Sequence, residues 1–191
     1  MRLVIVVIFI VMLTGCFDSN VKEIKISNQT DVDVVEINEV QNKKFSYLDQ
    51  LPAERMEEYE LFVKERNLSH LQRFSPKEIL LIYMHSVAIF DADSIYALTY
   101  NNDLLADPDL FRKEYAEYVL NAEQEVAMKF RYYDSIRIAE ETVKEDSLSV
   151  VISVSLGSTT GSVAYGLKKE DKVWKMDIQH LIEYFKQKAT H

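Results

Sequence analysis

Hydrophobic and polar positions divide the chain into a leader, a weakly patterned stretch and a long, strongly patterned body. Leu3 to Leu13 is an unbroken apolar run behind the positive charge of Arg2. It is shorter than the ~20 residues a membrane-crossing helix needs, and it has the length of the apolar core of a signal peptide. Between residues 17 and 44 the pattern is faint. Val21 to Ile26 and Val32 to Val34 alternate briefly, with a turn-like Asn28 to Asp31 between them. Residues 16–50 therefore read as a tether, either extended throughout or carrying short strands.

The body is expected to span residues 51–191 and to open with helices. Met56, Tyr59, Phe62 and Val63 recur at helical spacing behind Pro52, predicting a helix over 52–67. Ser75, Pro76 and Glu78 form the start signal of a second helix, with a capping box. Its apolar face is Ile79, Ile82, Tyr83, Val87 and Phe90. Asp91 to Asp93 breaks it, and Ile95, Tyr96, Leu98 and Tyr100 restart it. Asp107 and Pro108 cap and open a third long helix. Phe111, Tyr115, Tyr118, Val119, Ala122, Val126 and Phe130 are its predicted inner face.

From Tyr132 the period falls to two. Ile136 and Ile138 alternate with polar positions, as do Leu148, Val150, Ile152, Val154 and Leu156, then Val163, Tyr165 and Leu167. Gly157 to Gly161 reads as a turn, Glu170 to Lys172 as another, and Val173 to Ile178 as the last strand. Short links between consecutive strands imply an antiparallel meander. Gln179 to Lys188 is amphipathic and predicts a closing helix. Helices followed by a meander give an α+β domain with helices on one face of the sheet.

The leader ends in Leu13-Thr14-Gly15-Cys16, which resembles a bacterial lipobox. The resemblance implies that residues 1–15 are a signal peptide removed before Cys16, whose sulphur carries diacylglycerol and whose new amino end can take a further acyl chain such as palmitate. Two acyl chains hold a protein stably at a membrane where one holds it marginally. The chain is similar in layout to Bacillus-type lipoproteins, a likeness that implies no function.

Composition narrows the partners. The 22 basic and 31 acidic side chains leave a net charge of −9, and loss of Arg2 with the leader makes the balance 21 against 31. An acidic body gains no long-range attraction to nucleic acid or anionic lipid. Cys16 is the single cysteine, so a lipidated chain has no disulfide and no cysteine metal site.

Phe90 to Leu98, a helix–Asp–helix step, and Lys172 to Asp177, a closing strand, resemble the nuclear transport factor two-like superfamily over roughly residues 75–178. The likeness implies a cystatin-like cone, in which helices pack into a curved antiparallel sheet that often encloses an apolar pocket. Ala92 stands where that family often has glycine.

No motif carries chemistry. His70, His85, His180 and His191 show no i, i+4 metal pair. His85 sits at the edge of an apolar helix face. Asp91, Asp93, Asp103, Asp107 and Asp109 lack calcium-loop spacing and read as caps and turns. Asp177 points away from Trp174 and Met176. Gly157 to Gly161 is neither a nucleophile elbow nor a phosphate loop. No catalytic residue, metal or cofactor is therefore expected. Tyr83, Tyr96, Tyr118, Tyr165 and Trp174 can lie between sheet and helices, as core or as the lining of a ligand pocket. The small-residue outer face of the sheet, Ser149, Ser153, Ser155, Ser162, Ala164 and Gly166, faces water or a second copy in a homodimer.

The expectation is a lipid-anchored protein on the extracytoplasmic face of the cell membrane, binding an envelope protein or a small apolar ligand. A dehydratase- or isomerase-like enzyme and a structural subunit of a secretion or conjugation assembly are the alternatives on this fold.

Overall fold

The structure, a computed structural model, describes residues 45–101, 103 and 105–190. The leader, Cys16 and the two weak strand signals at 21–26 and 32–34 lie outside the described residues.

The packed body begins by Phe45, within the stretch expected to be tether. A 3-10 turn, Tyr47–Gln50, buries Tyr47 and Leu48, with Leu51 just behind. Phe45, Tyr47, Leu48 and Leu51 are core-forming side chains, and their burial gives this segment a reason to fold with the rest.

Helix α1 (Ala53–Glu65) follows Pro52 and ends on Arg66 in a left-handed conformation. A short 3-10 turn, Leu68–Leu71, leads to α2 (Pro76–Ile89). The capping box is present: Glu78 N–H donates to Ser75 Oγ, and Ser75 N–H donates to the Glu78 carboxylate. Helix α2 is apolar nearly all round, as a helix enclosed on all sides must be. It buries Ile79, Leu80, Leu81, Ile82, Tyr83, Met84 and Val87, and packs against the N-terminal turn, two other helices and the sheet. Phe90 takes a left-handed conformation, and Asp91 then caps α3 (Ala92–Leu98). The break expected at Asp91 to Asp93 falls at Phe90 and Asp91, and Ala92 and Asp93 already belong to α3.

Asp107 caps α4 (Pro108–Glu114), which runs through a π-helical turn, Tyr115–Val119, into α5 (Leu120–Lys129). Strands β1 (Ser135–Lys144), β2 (Ser147–Leu156), β3 (Thr159–Glu170) and β4 (Val173–Met176) form an antiparallel sheet in chain order. Helix α6 (Gln179–Ala189) closes the chain.

The sheet register puts Ile136 beside Ile152, Val150 beside Tyr165, and Leu167 beside Leu148 and Met176. This row meets the helices in the core. A bulge between Ala139 and Lys144 bends β1. There the Thr142 hydroxyl donates to Ala139 C=O and accepts from Ser149 N–H, replacing ladder bonds that the bulge removes. The β2–β3 turn is tighter than Gly157 to Gly161. Leu156 already pairs with Thr159, so only Gly157 and Ser158 turn, with Gly157 at φ 63°. The fold is α+β, with helices on one face of a curved antiparallel sheet.

Candidate functional site

Helix α2, the helical run around the π turn, and strand β3 each send a tyrosine to one point in the core. Tyr83 comes from α2, Tyr115 from the π turn and Tyr165 from β3. The fourth member is Glu123 of α5, which is 7% exposed. Tyr83 Oη donates to Glu123 Oε2 at 2.8 Å, and Tyr165 Oη donates to the same oxygen at 2.9 Å. Tyr115 and Tyr83 hydroxyls are 3.0 Å apart. Since the Tyr83 proton serves Glu123, Tyr115 is the donor in that bond. The Tyr83 and Tyr165 rings meet edge to face at 5.7 Å.

Electrostatics here are set by exclusion of water. Burial pushes the Glu123 carboxyl above its ordinary range, opposed by the Tyr83 and Tyr165 hydrogen bonds and by His180. Burial also holds Tyr83, Tyr115 and Tyr165 well above the ordinary tyrosine range, and the neighbouring carboxylate adds to it. Four hydrogen-bonding groups thus satisfy one another in an apolar interior, which fixes α2, α5 and β3 relative to each other.

Glu123 is the residue that sequence periodicity misses, and the π turn is the reason. A regular helix from Phe111 would bury Tyr118, Ala122 and Val126. The wider turn at Tyr115–Val119 takes up an extra residue, and the buried face continues as Val119, Glu123, Ala127 and Phe130. Glu123 does stand at i+4 from Val119, and that is the only signal available in the sequence.

The five aromatics proposed for a pocket are not brought together. Tyr83 and Tyr165 meet at Glu123. Tyr96 is half-buried, edge-on to Phe111 at 5.3 Å, and borders a surface cleft of about 390 Å³ with Arg66, Asp93, Arg112 and Lys175. The cations of that cleft are tied to carboxylates: Arg66 to Asp91, Arg112 to Asp93 and Asp109, Lys175 to Glu170. Tyr118 is half-buried at the margin of the core, under Lys186 of α6. Trp174 is half-buried at the sheet edge under Lys169, its partner across β3 and β4. The aspartates act as caps and ion pairs, as Asp91 does for Ser94 N–H and Arg66. Those bonds hold its carboxyl below the ordinary range despite partial burial.

A second feature lies at the far end of α2. A cleft of about 570 Å³ is lined by Phe45, Tyr47, His85, Ala88, Ile89, Ala127, Met128, Arg131 and Tyr132, with Ser46 beside His85. Phe45 packs edge-on against Tyr47 at 5.0 Å and against Tyr132 at 5.3 Å. Tyr47 Oη donates to Ala127 C=O, and Gln124 donates to Val87 C=O, clamping the cleft's two helical walls. His85 Nδ1 lies 3.3 Å from Ser46 Oγ. Desolvation lowers the His85 pKa, opposed by Asp91, and so favours the neutral ring. The rim is unusually apolar: Met128 is 67% exposed, Ile89 59% and Tyr132 64%. None of the clefts described borders Tyr83, Tyr115, Glu123 or Tyr165. Among the described residues no helix is long and apolar enough to cross a membrane, and no cluster of metal-ligating side chains is found.

No family model and no curated protein matches the chain. Among solved structures it is similar to a Campylobacter jejuni protein provisionally called an NTF2-like transpeptidase. The two share 18% identity over 55% of this chain and 100% of that one, with a TM-score of 0.36. At that identity and score the likeness carries no argument about activity.

Proposed function

We propose that the protein is a lipid-tethered binding module of the bacterial cell envelope, held at the extracytoplasmic face of the membrane through Cys16. The lipobox-like tetrapeptide behind a short apolar leader supports the tether. The single observation that supports the binding role is the concave cleft rimmed by exposed Ile89, Met128 and Tyr132. Large apolar side chains gathered in one exposed place mark interaction sites, whereas scattered ones do not.

One candidate acid or base for an enzyme of the dehydratase or isomerase kind is Glu123, whose carboxyl is pushed up by burial. The enclosure of Glu123 among three tyrosines speaks against that role, since a general acid or base must reach its substrate. An envelope-assembly role would require a large oligomeric interface.

Ile89 and Met128 are exposed, so Ile89→Glu with Met128→Glu leaves the core intact. Pull-down from solubilised membranes, with Cys16 intact and with Cys16→Ser, tests the proposal. The binding reading expects a specific partner or ligand with the wild-type chain and at least tenfold less with the double variant. Equal recovery with both would sink it.

A further inference from the structure

Resting on the reading of that cleft as the binding surface, we infer that its occupant is a free long-chain monocarboxylate, a fatty acid. The lining of the cleft combines an apolar wall with polar side chains. Ala88, Ile89, Ala127 and Met128 form an aliphatic and thioether wall with no side-chain hydrogen-bonding group, suited to an unbranched chain. Phe45, Arg131 and Tyr132 are shared with an adjoining cleft of about 470 Å³, whose further lining is Gln50, Tyr133 and Asp134. Arg131 therefore stands where the apolar trough meets the polar one.

Charge selects the head group. The chain carries a net −9, yet among the described residues that line the apolar cleft none is acidic. Among its described lining residues Arg131 is the one permanent positive charge. The Arg131 guanidinium lies 4.9 Å from the Tyr132 ring centroid, and among the described residues it pairs with no carboxylate. Asp134, the acid of the adjoining cleft, accepts from Ser155 N–H instead. An arginine stacked on an aromatic face keeps the edge of its fork free for two parallel bonds to a carboxylate. The cleft volume lies within the roughly 300–1,000 Å³ range of small-molecule sites. A carboxylate on Arg131 with its chain along Met128 and Ile89 uses both the charge and the apolar wall of the cleft.

The test uses the full chain, reconstituted in nanodiscs of zwitterionic lipid, and a palmitate analogue carrying a photoactivatable diazirine in its chain. Peptide mapping after illumination is expected to place the label at Ile89, Met128 or Tyr132. Unlabelled palmitate should compete and its methyl ester should not. Competition by shorter acids should weaken by about fourfold for each methylene removed. Arg131 is exposed, so Arg131→Gln should fold normally, and it should lose at least tenfold in labelling, with Arg131→Lys in between. Labelling that is confined to other residues, unaffected by Arg131→Gln, or competed equally by the methyl ester or by phospholipid overturns the inference. A photoreactive residue at position 128 separates the two readings. If it captures a protein that palmitate does not displace, the cleft is a binding surface and the fatty acid is wrong. If it captures nothing and palmitate does not label, both fall.

Discussion

Glu123 accepts two tyrosine hydroxyls on one oxygen inside a core from which water is excluded. Removing the acceptor leaves two buried donors without a partner and opens a cavity. Glu123→Ala is therefore expected to cost on the order of 3 kcal/mol, measured by urea unfolding. Glu123→Gln keeps an oxygen for both hydroxyls and deletes the buried charge, so it should stay within about 1 kcal/mol of wild type. The two should also separate with pH. A carboxyl whose folded pKa is raised contributes stability that is fully present below its unfolded value, near ~4.3, and is lost as pH rises through the folded value. Relative to Glu123→Gln, the wild type should lose ground from about pH 4 upward. A difference flat with pH would mean that burial does not disfavour the ionised form. Tyr83 and Tyr165 were visible in the sequence as inward tyrosines. Glu123 was not, because a charged residue on a helix reads as solvent-facing unless its exact phase is known.

That phase belongs to the element scale. Most helix starts and strand faces were legible because each carries a local physical signature: Ser75 with Glu78, Asp107 with Pro108, and the two-residue alternation of β2. The π turn has no such signature, so periodicity puts Ala122 and Val126 on the inner face where Glu123 and Ala127 are the buried residues, and the two coincide again at Phe130. Two deletions expose the difference. Removing exposed Glu117 takes out the extra residue and lets the helix run regularly, with Tyr115 and Glu123 kept in place. Removing exposed Glu125 instead swings Ala127 and Phe130 out of the core. Thermal melting should show little change for the first and a loss on the order of 3 kcal/mol or more for the second. Equal losses would mean that the π turn is not an insertion. Ser75→Ala, which removes half of the capping box, should cost about 1 kcal/mol by the same measurement. The sheet carried its own surprise, a two-residue β2–β3 turn, because Thr159, Thr160 and Gly161 suit a strand end as well as a loop.

On the scale of the whole molecule, the chain order of helices then strands was enough to infer an α+β body. Its start was misplaced because Phe45 to Leu51 has no periodicity, although its aromatics fill core space once they meet α2 and α5. The apolar cleft was invisible in the sequence for a related reason. Phe45, His85, Met128 and Tyr132 come from three separate stretches that only folding brings together. The tether is the reverse case, written in a few consecutive residues and lying outside the described structure.

Whether the chain is tethered through Cys16 is decided by intact-mass spectrometry of the protein extracted from the membrane fraction. The expected species begins at Cys16 and is heavier than its residues by a diacylglycerol group, and Cys16→Ser should lose the added mass. A soluble chain that retains Met1 to Gly15 and an unmodified Cys16 would contradict it.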